Sequence, residues 1–169
     1  YKYTCRIPYP YTKKIAKQWI NRNIKLNKSK KQKEINFAID IYGNVVGGMG
    51  FRDIERHKAE IGYWLGRNYW NRGVISEAVK LITDYGFKKL KLTRIYATVF
   101  SFNRKSARVL EKNNYKLEGM ARNYHLKKGK LIDGLMGLNG SLKLNDSEIL
   151  PLSDFDIYAP SLNQEEKIE

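Results

Sequence analysis

Arg72 and Gly73 lie in a polar, aromatic loop between an apolar run, Ile61 to Leu65, and the start of a predicted helix near residues 74–76. The first backbone N–H groups of a helix have no partner within the helix, and the helix dipole places partial positive charge there. An anion can bind these donors, Arg72 adds a full charge, and Gly73 lets a ligand approach the backbone closely. The segment from Glu60 to Ala78 therefore indicates a site for a phosphorylated ligand.

The common phosphate motifs do not explain this loop. No Gly-Lys-Ser/Thr follows at the Walker A spacing, and the loop does not carry the Gly-x-Gly-x-x-Gly fingerprint of dinucleotide sites. From the residue types alone, an alternative stays open, in which the segment is an ordinary strand-to-helix connection whose glycine only relieves a turn.

Several motifs in order narrow this choice. The first is Tyr69-Trp70-Asn71-Arg72-Gly73-Val74-Ile75-Ser76-Glu77-Ala78, and the second runs from Asn103 to Tyr115 with an N-x-x-S-x-x-V-x-E-K spacing. The strand-like run Arg94 to Val99 lies between them, and Leu117-Glu118-Gly119 and Asp133 follow. Together these motifs resemble the GNAT acetyltransferases, and most of all their ribosomal-protein-alanine (RimJ/RimL) subgroup. The resemblance covers residues 3–138.

The resemblance implies an α+β fold, the GNAT acyl-CoA N-acyltransferase fold. This fold has a central, mostly antiparallel mixed sheet in an α/β/α-like arrangement, with one splayed parallel strand pair. The family usually begins with a strand before the first helix, whereas residues 1–11 match the segment that leads into that helix. We therefore expect the usual first strand to be absent from the sheet.

Hydrophobic periodicity and turn residues give the element order. We expect an acetyltransferase domain over 1–140 and an acidic, polar C-terminal tail over 141–169. Thr12 is the predicted N-cap of the first helix, whose apolar stripe is irregular. The patterns predict helices over 12–26, 75–90 and 105–113, and strands over 35–41, 45–54, 58–65, 94–100, 115–121 and 131–138.

The resemblance implies acetyl-coenzyme A as co-substrate. An extended pantetheine arm carries amides and can pair with an open strand edge as an added strand would. The resemblance assigns that edge to the backbone of residues 63–65, where one N–H would also face the thioester carbonyl. The cofactor-binding residues implied in this way are Tyr63, Trp64, Leu65, Arg72, Gly73, Val74, Ile75, Ser76, Asn103, Arg108 and Lys112.

Two carboxylates are candidates for the general base. Glu60 is the first, because it lies on the strand that would flank the thioester, and an exposed strand carboxylate is its alternative interpretation. Glu118 is the second, and a structural ion pair with Arg122 is the alternative there.

The leaving thiolate needs a hydrogen-bond donor or acid. Many GNAT enzymes use a tyrosine on the second motif's helix, but Leu110 occupies that position here. The resemblance to the RimJ/RimL subgroup points instead to Ser106, with Asn103 bonding the cofactor or the acceptor backbone. The alternative for Asn103 and Ser106 is a helix N-cap followed by a first-turn serine, and both interpretations can hold together.

The acceptor is a primary amine, and three hypotheses stay open. An N-terminal α-amine of a protein is the first, because its pKa near 7.7–8.0 makes it easy to deprotonate. A small amine such as a polyamine or an aminoglycoside is the second. The third is a non-catalytic basic module on the same scaffold, which would bind RNA or a ribosome through the nine basic residues between Lys13 and Lys33.

Composition limits the remaining classes. The single cysteine, Cys5, allows no intrachain disulfide, which suits a reducing cytoplasm. No apolar run approaches the length of a membrane span, no secretory signal pattern is present, and no metal-ligand spacing is found. The chain begins at Tyr1 rather than Met, which is typical of a fragment or a processed product. Charge is uneven, since residues 1–140 carry 30 basic and 10 acidic side chains, whereas residues 141–169 carry 2 and 7.

Overall fold

The computed structural model describes residues 2–4, 7–27, 33–140 and 156–158 of the 169-residue chain. The three described helices are α1 (Lys13–Asn27), α2 (Val74–Lys88) and α3 (Arg104–Lys112). The strands are β1 (Ile35–Ile41), β2 (Asn44–Glu55), β3 (Lys58–Leu65), β4 (Arg94–Phe100), β5 (Tyr115–Lys116), β6 (Gly119–Lys127), β7 (Lys130–Gly140) and β8 (Asp156–Tyr158).

These strands form one mixed sheet in the order β5-β7-β4-β3-β2-β1-β8, with β6 paired to β7. Every strand pair is antiparallel except β3–β4, which is parallel. Residues 2–4 and 7–12, which precede α1, form no strand. The predicted α+β fold with one parallel pair is confirmed.

Helices cover both faces of the sheet. Phe37 of β1 contacts Tyr85 of α2 at 5.2 Å between ring centroids. Its neighbour Asn36 points to the opposite face, where its side-chain amide donates to Asn23 of α1 at 2.6 Å. We call these faces the α2 face and the α1 face, and the predicted α/β/α-like layering follows from them.

The hydrophobic core fills the space between α2 and the sheet. Val79 and Ile82 of α2 are almost fully buried, as are Phe51 and Ile95 of the strands below. A Cβ added at Gly86 would lie 2.6 Å from Ile95 Cδ1, so this glycine lets α2 pack closely on β4. The close packing places the C-terminal end of α2 against the start of β4.

The helix starts confirm two capping predictions. Thr12 Oγ1 accepts a hydrogen bond from the backbone N–H of Ile15 at 3.3 Å. Asn103 is the N-cap of α3, and its side-chain oxygen accepts from the backbone N–H of Ser106 at 3.3 Å. Element bounds agree with the sequence predictions to within two residues for all but one predicted strand.

That predicted strand, over 115–121, is wrong in extent. The chain forms a two-residue strand, β5, and then begins the longer β6 at Gly119. Both segments pair with β7 in the same antiparallel register, and only residues 117–118 between them leave the ladder, beside Gly137, which has φ = 73° and lies against Glu118. The separate tail over 141–169 stays a prediction, because only β8 of it is described. That strand pairs with β1 at the edge of the sheet.

The apolar stripe of α1 does not join the main core. Trp19, Ile20 and Ile24 are each exposed by 42–51%. The buried side chain of this helix is Asn23, which donates to the carbonyl of Trp19 and accepts from Asn36. A polar contact rather than apolar packing therefore attaches α1 to the sheet at this point.

Candidate active site

The parallel pair β3–β4 separates after only three residue pairs. Pairing runs from Lys58 and Arg94 to Glu60 and Tyr96, and then stops. Beyond this point β3 stays paired with β2 as far as Leu65, whereas β4 pairs with β7. Among the described strands, the edge of β3 that faces β4 therefore has no partner from residue 61 onward. We call the gap between the two strands the wedge.

The loop that leaves β3 is tied back to the strand ends. The backbone N–H of Gly66 donates to the carbonyl of Val46 at 2.8 Å, and the indole N–H of Trp70 donates to the carbonyl of Leu65 at 2.9 Å. These two bonds turn the chain sharply from β3 toward α2. The loop therefore ends close to the opening of the wedge.

Two residues of this loop have left-handed backbone conformations. Asn71 has φ = 61° and Gly73 has φ = 81°. Asparagine tolerates this region better than most residues. Left-handed residues in such a turn direct successive backbone N–H groups toward one concave surface, which is a typical anion site.

The N-terminus of α2 continues this surface. Gly73 is the N-cap and has no side chain, so no side-chain cap occupies the first amide donors of the helix. Val74 is buried and holds the first turn against the core, while Arg72 is exposed at the rim. The predicted residues from Arg72 to Ser76 therefore lie together, as an amide-lined and positively charged loop.

Helix α3 contributes a second group of basic side chains. Arg104, Arg108 and Lys112 are all exposed and are spaced four residues apart, so they lie along one side of the helix. A side-chain amide connects this helix to α2, because Asn113 donates to the carbonyl of Ser76 at 3.1 Å and to that of Val109 at 2.9 Å. The first turn of α2 and the end of α3 are thus fixed relative to each other.

Ser106 lies at the start of α3, on the α2 face of the sheet. The hydroxyl of Tyr63 reaches it from β3, at 2.9 Å from Ser106 Oγ and 3.1 Å from the Ser106 carbonyl oxygen. This contact crosses from β3 to α3 beyond the last β3–β4 pair. Leu110, which occupies the family's tyrosine position, is fully buried and belongs to the core.

Glu60 lies at the base of the wedge on the α1 face and is buried. Its carboxylate accepts two hydrogen bonds from Arg52, at 2.5 and 2.8 Å, and one from Thr98 Oγ1 at 2.5 Å. The alternative of an exposed strand carboxylate is therefore wrong. Arg52 and Thr98 were missed in the sequence, although Arg52 lies directly opposite Glu60 in the β2–β3 register and could have been found as a cross-strand pair.

Glu118 has a different partner from the one expected. Arg94, not Arg122, donates two hydrogen bonds to its carboxylate. These bonds lower the pKa of the Glu118 carboxyl. Arg94 begins β4 and Glu118 precedes β6, so the pair connects these two segments across β7 and lies outside the wedge.

Aromatic rings line the α1 face beside the wedge. Phe100 at the end of β4 stacks on Phe102 at 5.2 Å and meets the ring of His125 edge-to-face at 4.9 Å. Tyr3 contacts Phe102 at 6.2 Å, and Lys127 lies 5.3 Å above the ring of Phe100. His125 had no sequence signal that would place it here, since β6 brings it close only through its pairing with β7.

The described residues offer neither a metal site nor a membrane-spanning helix. Within the described part of the chain, no group of three or more His, Cys, Asp and Glu side chains could hold a metal ion. Over the same residues, none of the helices is both long enough and apolar enough to pass through a membrane.

Comparison with known proteins identifies relatives of this arrangement. Residues 1–116 match the acetyltransferase (GNAT) domain family. The uncharacterized N-acetyltransferase p20 of Bacillus licheniformis is 47% identical over 94 residues, which cover 54% of this chain and 53% of that protein. The uncharacterized N-acetyltransferase YoaA of Bacillus subtilis strain 168 is 37% identical over 91 residues, which cover 53% and 51%. The chain thus spans about half the length of these curated relatives.

Solved structures share the architecture. The ribosomal-protein-S5-alanine acetyltransferase of Vibrio fischeri superposes with a TM-score of 0.70 at 25% identity, covering 79% of this chain and 75% of that one. The microcin C7 self-immunity acetyltransferase MccE, solved in complex with acetyl-CoA and AMP, has a TM-score of 0.73 at 23% identity, covering 83% and 78%. At this identity the second likeness concerns the fold alone.

The buried ion pair gives a first prediction. Glu60→Gln keeps the shape of the side chain but leaves the half-buried charge of Arg52 without its counter-charge, so we expect the free energy of unfolding to fall by about 2–3 kcal/mol. Urea denaturation measures this loss. Glu118→Gln is the matched control, because it also removes a two-bond arginine partner but in an exposed position. Equal stability of wild type and Glu60→Gln would contradict the role of this pair.

His125 gives a second prediction, on pH. Burial of the ring lowers the pKa of His125 below its ordinary value of 6.5; Arg52 lowers this pKa further and Glu60 opposes the shift. The unfolded chain therefore binds more protons than the folded one below about pH 6.5, and stability falls as pH decreases through that range.

We expect His125→Gln to reduce this pH dependence by up to about 1 kcal/mol between pH 7.5 and 5.5. Urea unfolding at the two pH values measures the difference. His57→Gln, in an exposed turn, should retain the slope of the wild type. The assignment fails if both variants show the same slope.

Proposed function

The chain belongs to the GNAT acetyltransferase family, and on that premise we propose that it transfers an acetyl group from acetyl-coenzyme A to a primary amine. The amine attacks the thioester directly while both substrates are bound. The observation that carries this proposal is the early end of the β3–β4 pairing beside the amide-lined loop of α2. A donor can enter the wedge from the α2 face, and an acceptor can approach from the α1 face.

The donor half of the proposal rests on charge and open amides. We assign the coenzyme A pyrophosphate to the backbone from Arg72 to Ser76, where the helix dipole and the left-handed residues favour an anion. Arg108 and Lys112 of α3 supply further positive charge for the phosphates of the nucleotide end. No metal ion is needed in this assignment, because these groups already provide positive charge.

The pantetheine arm is assigned to the open edge of β3. Among the described strands, the backbone of Tyr63, Trp64 and Leu65 pairs only with β2, so N–H and C=O groups directed toward β4 can bind the amides of the arm, although the Leu65 carbonyl already accepts from Trp70. An N–H of this edge would also donate to the thioester oxygen as negative charge develops on it. Asn103 and Ser106 at the start of α3 are assigned to the thioester end of the donor.

For the acceptor we propose a protein N-terminal α-amine, as in the RimJ/RimL type. The amine must be neutral to attack, and neutralising an α-amine at pH 7 costs about 1.4 kcal/mol, against nearly 5 kcal/mol for lysine. Removing a proton from an α-amine needs only a weak base. Glu60 is a buried carboxylate at the base of the wedge, where Arg52 and Thr98 hold it by hydrogen bonds. We assign Glu60 as the general base, which accepts a proton from the amine.

The likeness to the Vibrio fischeri protein adds support for this acceptor class, since that protein is described as a ribosomal-protein-S5-alanine acetyltransferase. Association with a ribosome would also give a role to the exposed lysines of α1, such as Lys13, Lys14 and Lys17. Part of the predicted basic stretch, residues 28–32, lies outside the described residues. A cytoplasmic location stays a prediction.

The phosphate site is tested by changing its N-cap glycine. Gly73→Asp places a carboxylate against the pyrophosphate and strains a residue with φ = 81°, so we expect acetyl-coenzyme A to bind at least about tenfold more weakly. Isothermal titration calorimetry measures the change. Gly43→Asp is a close control, because Gly43 has φ = 79° and equally open surroundings but lies in the β1–β2 turn. Equal affinity in wild type and both variants would refute the phosphate-loop assignment.

The acceptor class is tested by a thiol-release assay with matched amines. We expect a peptide with a free N-terminal alanine to react at least about tenfold faster in kcat/KM than the same peptide acetylated at its N-terminus and carrying one internal lysine. Spermidine and an aminoglycoside complete the panel. A faster reaction with either small amine would overturn the proposed N-terminal acceptor and leave the acetyltransferase activity standing.

A further inference from the structure

The side chain of Tyr63 has a partner that its assigned role does not require. The backbone of this residue is assigned to the pantetheine arm, but its phenol stands out from the α2 face of the sheet and extends to α3. There it contacts both the hydroxyl and the carbonyl of Ser106, at 2.9 and 3.1 Å. A carbonyl can only accept, whereas either hydroxyl can donate across the shorter contact.

The phenol stays protonated over the range in which an acetyltransferase works. Burial raises the pKa of the Tyr63 hydroxyl above its ordinary value of 10, and the hydrogen bond with Ser106 opposes this shift only in part. Tyr63 therefore always carries a hydrogen to donate. Two arrangements satisfy the pair: Tyr63 donates to the Ser106 carbonyl and accepts from Ser106 Oγ, or Tyr63 donates to Ser106 Oγ.

In the second arrangement the hydroxyl hydrogen of Ser106 can be donated to a third group. Changing from one arrangement to the other requires only rotation of two O–H bonds, with all heavy atoms in place. The backbone N–H of Ser106 is already bound to the Asn103 side chain, which fixes the position of the serine at the helix start. The pair is thus a preorganised donor that responds to a negative charge placed beside Ser106.

We propose that Tyr63 is a positioning residue for the leaving group, which acts by donating to Ser106 Oγ so that the Ser106 hydroxyl donates to the sulfur of coenzyme A. This inference rests on the proposed function, because the sulfur must lie beside Ser106. Donation from Tyr63 polarises the serine O–H and strengthens its bond to a thiolate. The aromatic ring also joins β3 to α3 at the place where the strands have separated.

The step leaves both hydroxyl protons on their oxygens. The amine forms a bond to the carbonyl carbon and gives up one proton to Glu60, the base assigned above, while the carbon–sulfur bond breaks and its electron pair goes to sulfur. A thiol has a pKa near 8.5, whereas the phenol of Tyr63 is a much weaker acid and an aliphatic alcohol is weaker still. Ser106 therefore stabilises the thiolate by a charge-assisted hydrogen bond, and solvent later protonates the released coenzyme A.

The test measures the thiol pKa of bound coenzyme A, which needs no acceptor. The thiolate absorbs in the far ultraviolet, so a pH titration of the saturated complex gives this pKa, with desulfo-coenzyme A as the reference for ionisation of the protein. The variants are Tyr63→Phe, Ser106→Ala and the double variant. Tyr115→Phe is the control, because its hydroxyl is also buried, its pKa is raised to about 12, and it is bonded to another hydroxyl, that of Thr83 at 2.7 Å.

We expect Ser106→Ala to raise the pKa of the bound thiol by about one unit, and Tyr63→Phe to raise it by about half as much or more. The double variant should match Ser106→Ala, because Tyr63 acts through the serine. Tyr115→Phe should leave the pKa unchanged. The proposal is overturned if Tyr63→Phe has no effect, or if its effect adds in full to that of Ser106→Ala. Failure of coenzyme A to bind the wild type in calorimetry would instead refute the proposed function.

Discussion

Hydrogen bonding between β3 and β4 ends after three residue pairs, and the arrangement of the site depends on this early end. A strand edge without a partner exposes N–H and C=O groups, which need either water or another polar chain. An amide-bearing ligand that enters the wedge can form hydrogen bonds with these groups without any rearrangement of the strands. The sheet therefore supplies binding groups for an extended ligand through its backbone, whatever the side chains of β3 are.

Side chains of β3 make polar contacts on both faces of the wedge, to β4 on one face and to α3 on the other. On the α1 face Glu60 reaches Thr98 of β4, and on the α2 face Tyr63 reaches Ser106 of α3. Both contacts are polar, and each lies beyond or at the last backbone pair. A buried ion pair such as that of Glu60 with Arg52 contributes little net stability, but it fixes the position of a charge. These hydrogen bonds fix the side chains of Glu60 and Tyr63 on the two faces of the wedge.

Local sequence signals predicted most of the fold. The start of α2 at Gly73, the Asn103 cap and the β1–β3 strands depend on residues within a few positions of one another, so spacing alone could identify them. Contacts between distant segments were not predictable in this way. Glu118 pairs with Arg94 and not with Arg122, because the pairing of β4 with β7 brings Arg94 near the start of β6. The exposed apolar side of α1 also has no local signal, since apolar periodicity shows which face of a helix could be buried but not whether another element covers it.

The contact between Lys127 and the N-terminal residues has a consequence for how the acceptor side can open. Its ammonium donates to the carbonyls of Lys2 and Thr4, which are 125 and 123 positions away in the chain. The entropy cost of closing a loop grows only slowly with its length. A closure of this length therefore costs little more entropy than a short one. Breaking these bonds leaves every strand pair of the sheet intact. Residues 2–4, with the ring of Tyr3 against Phe102, can therefore separate from the domain in a local transition whose free energy is well below that of global unfolding.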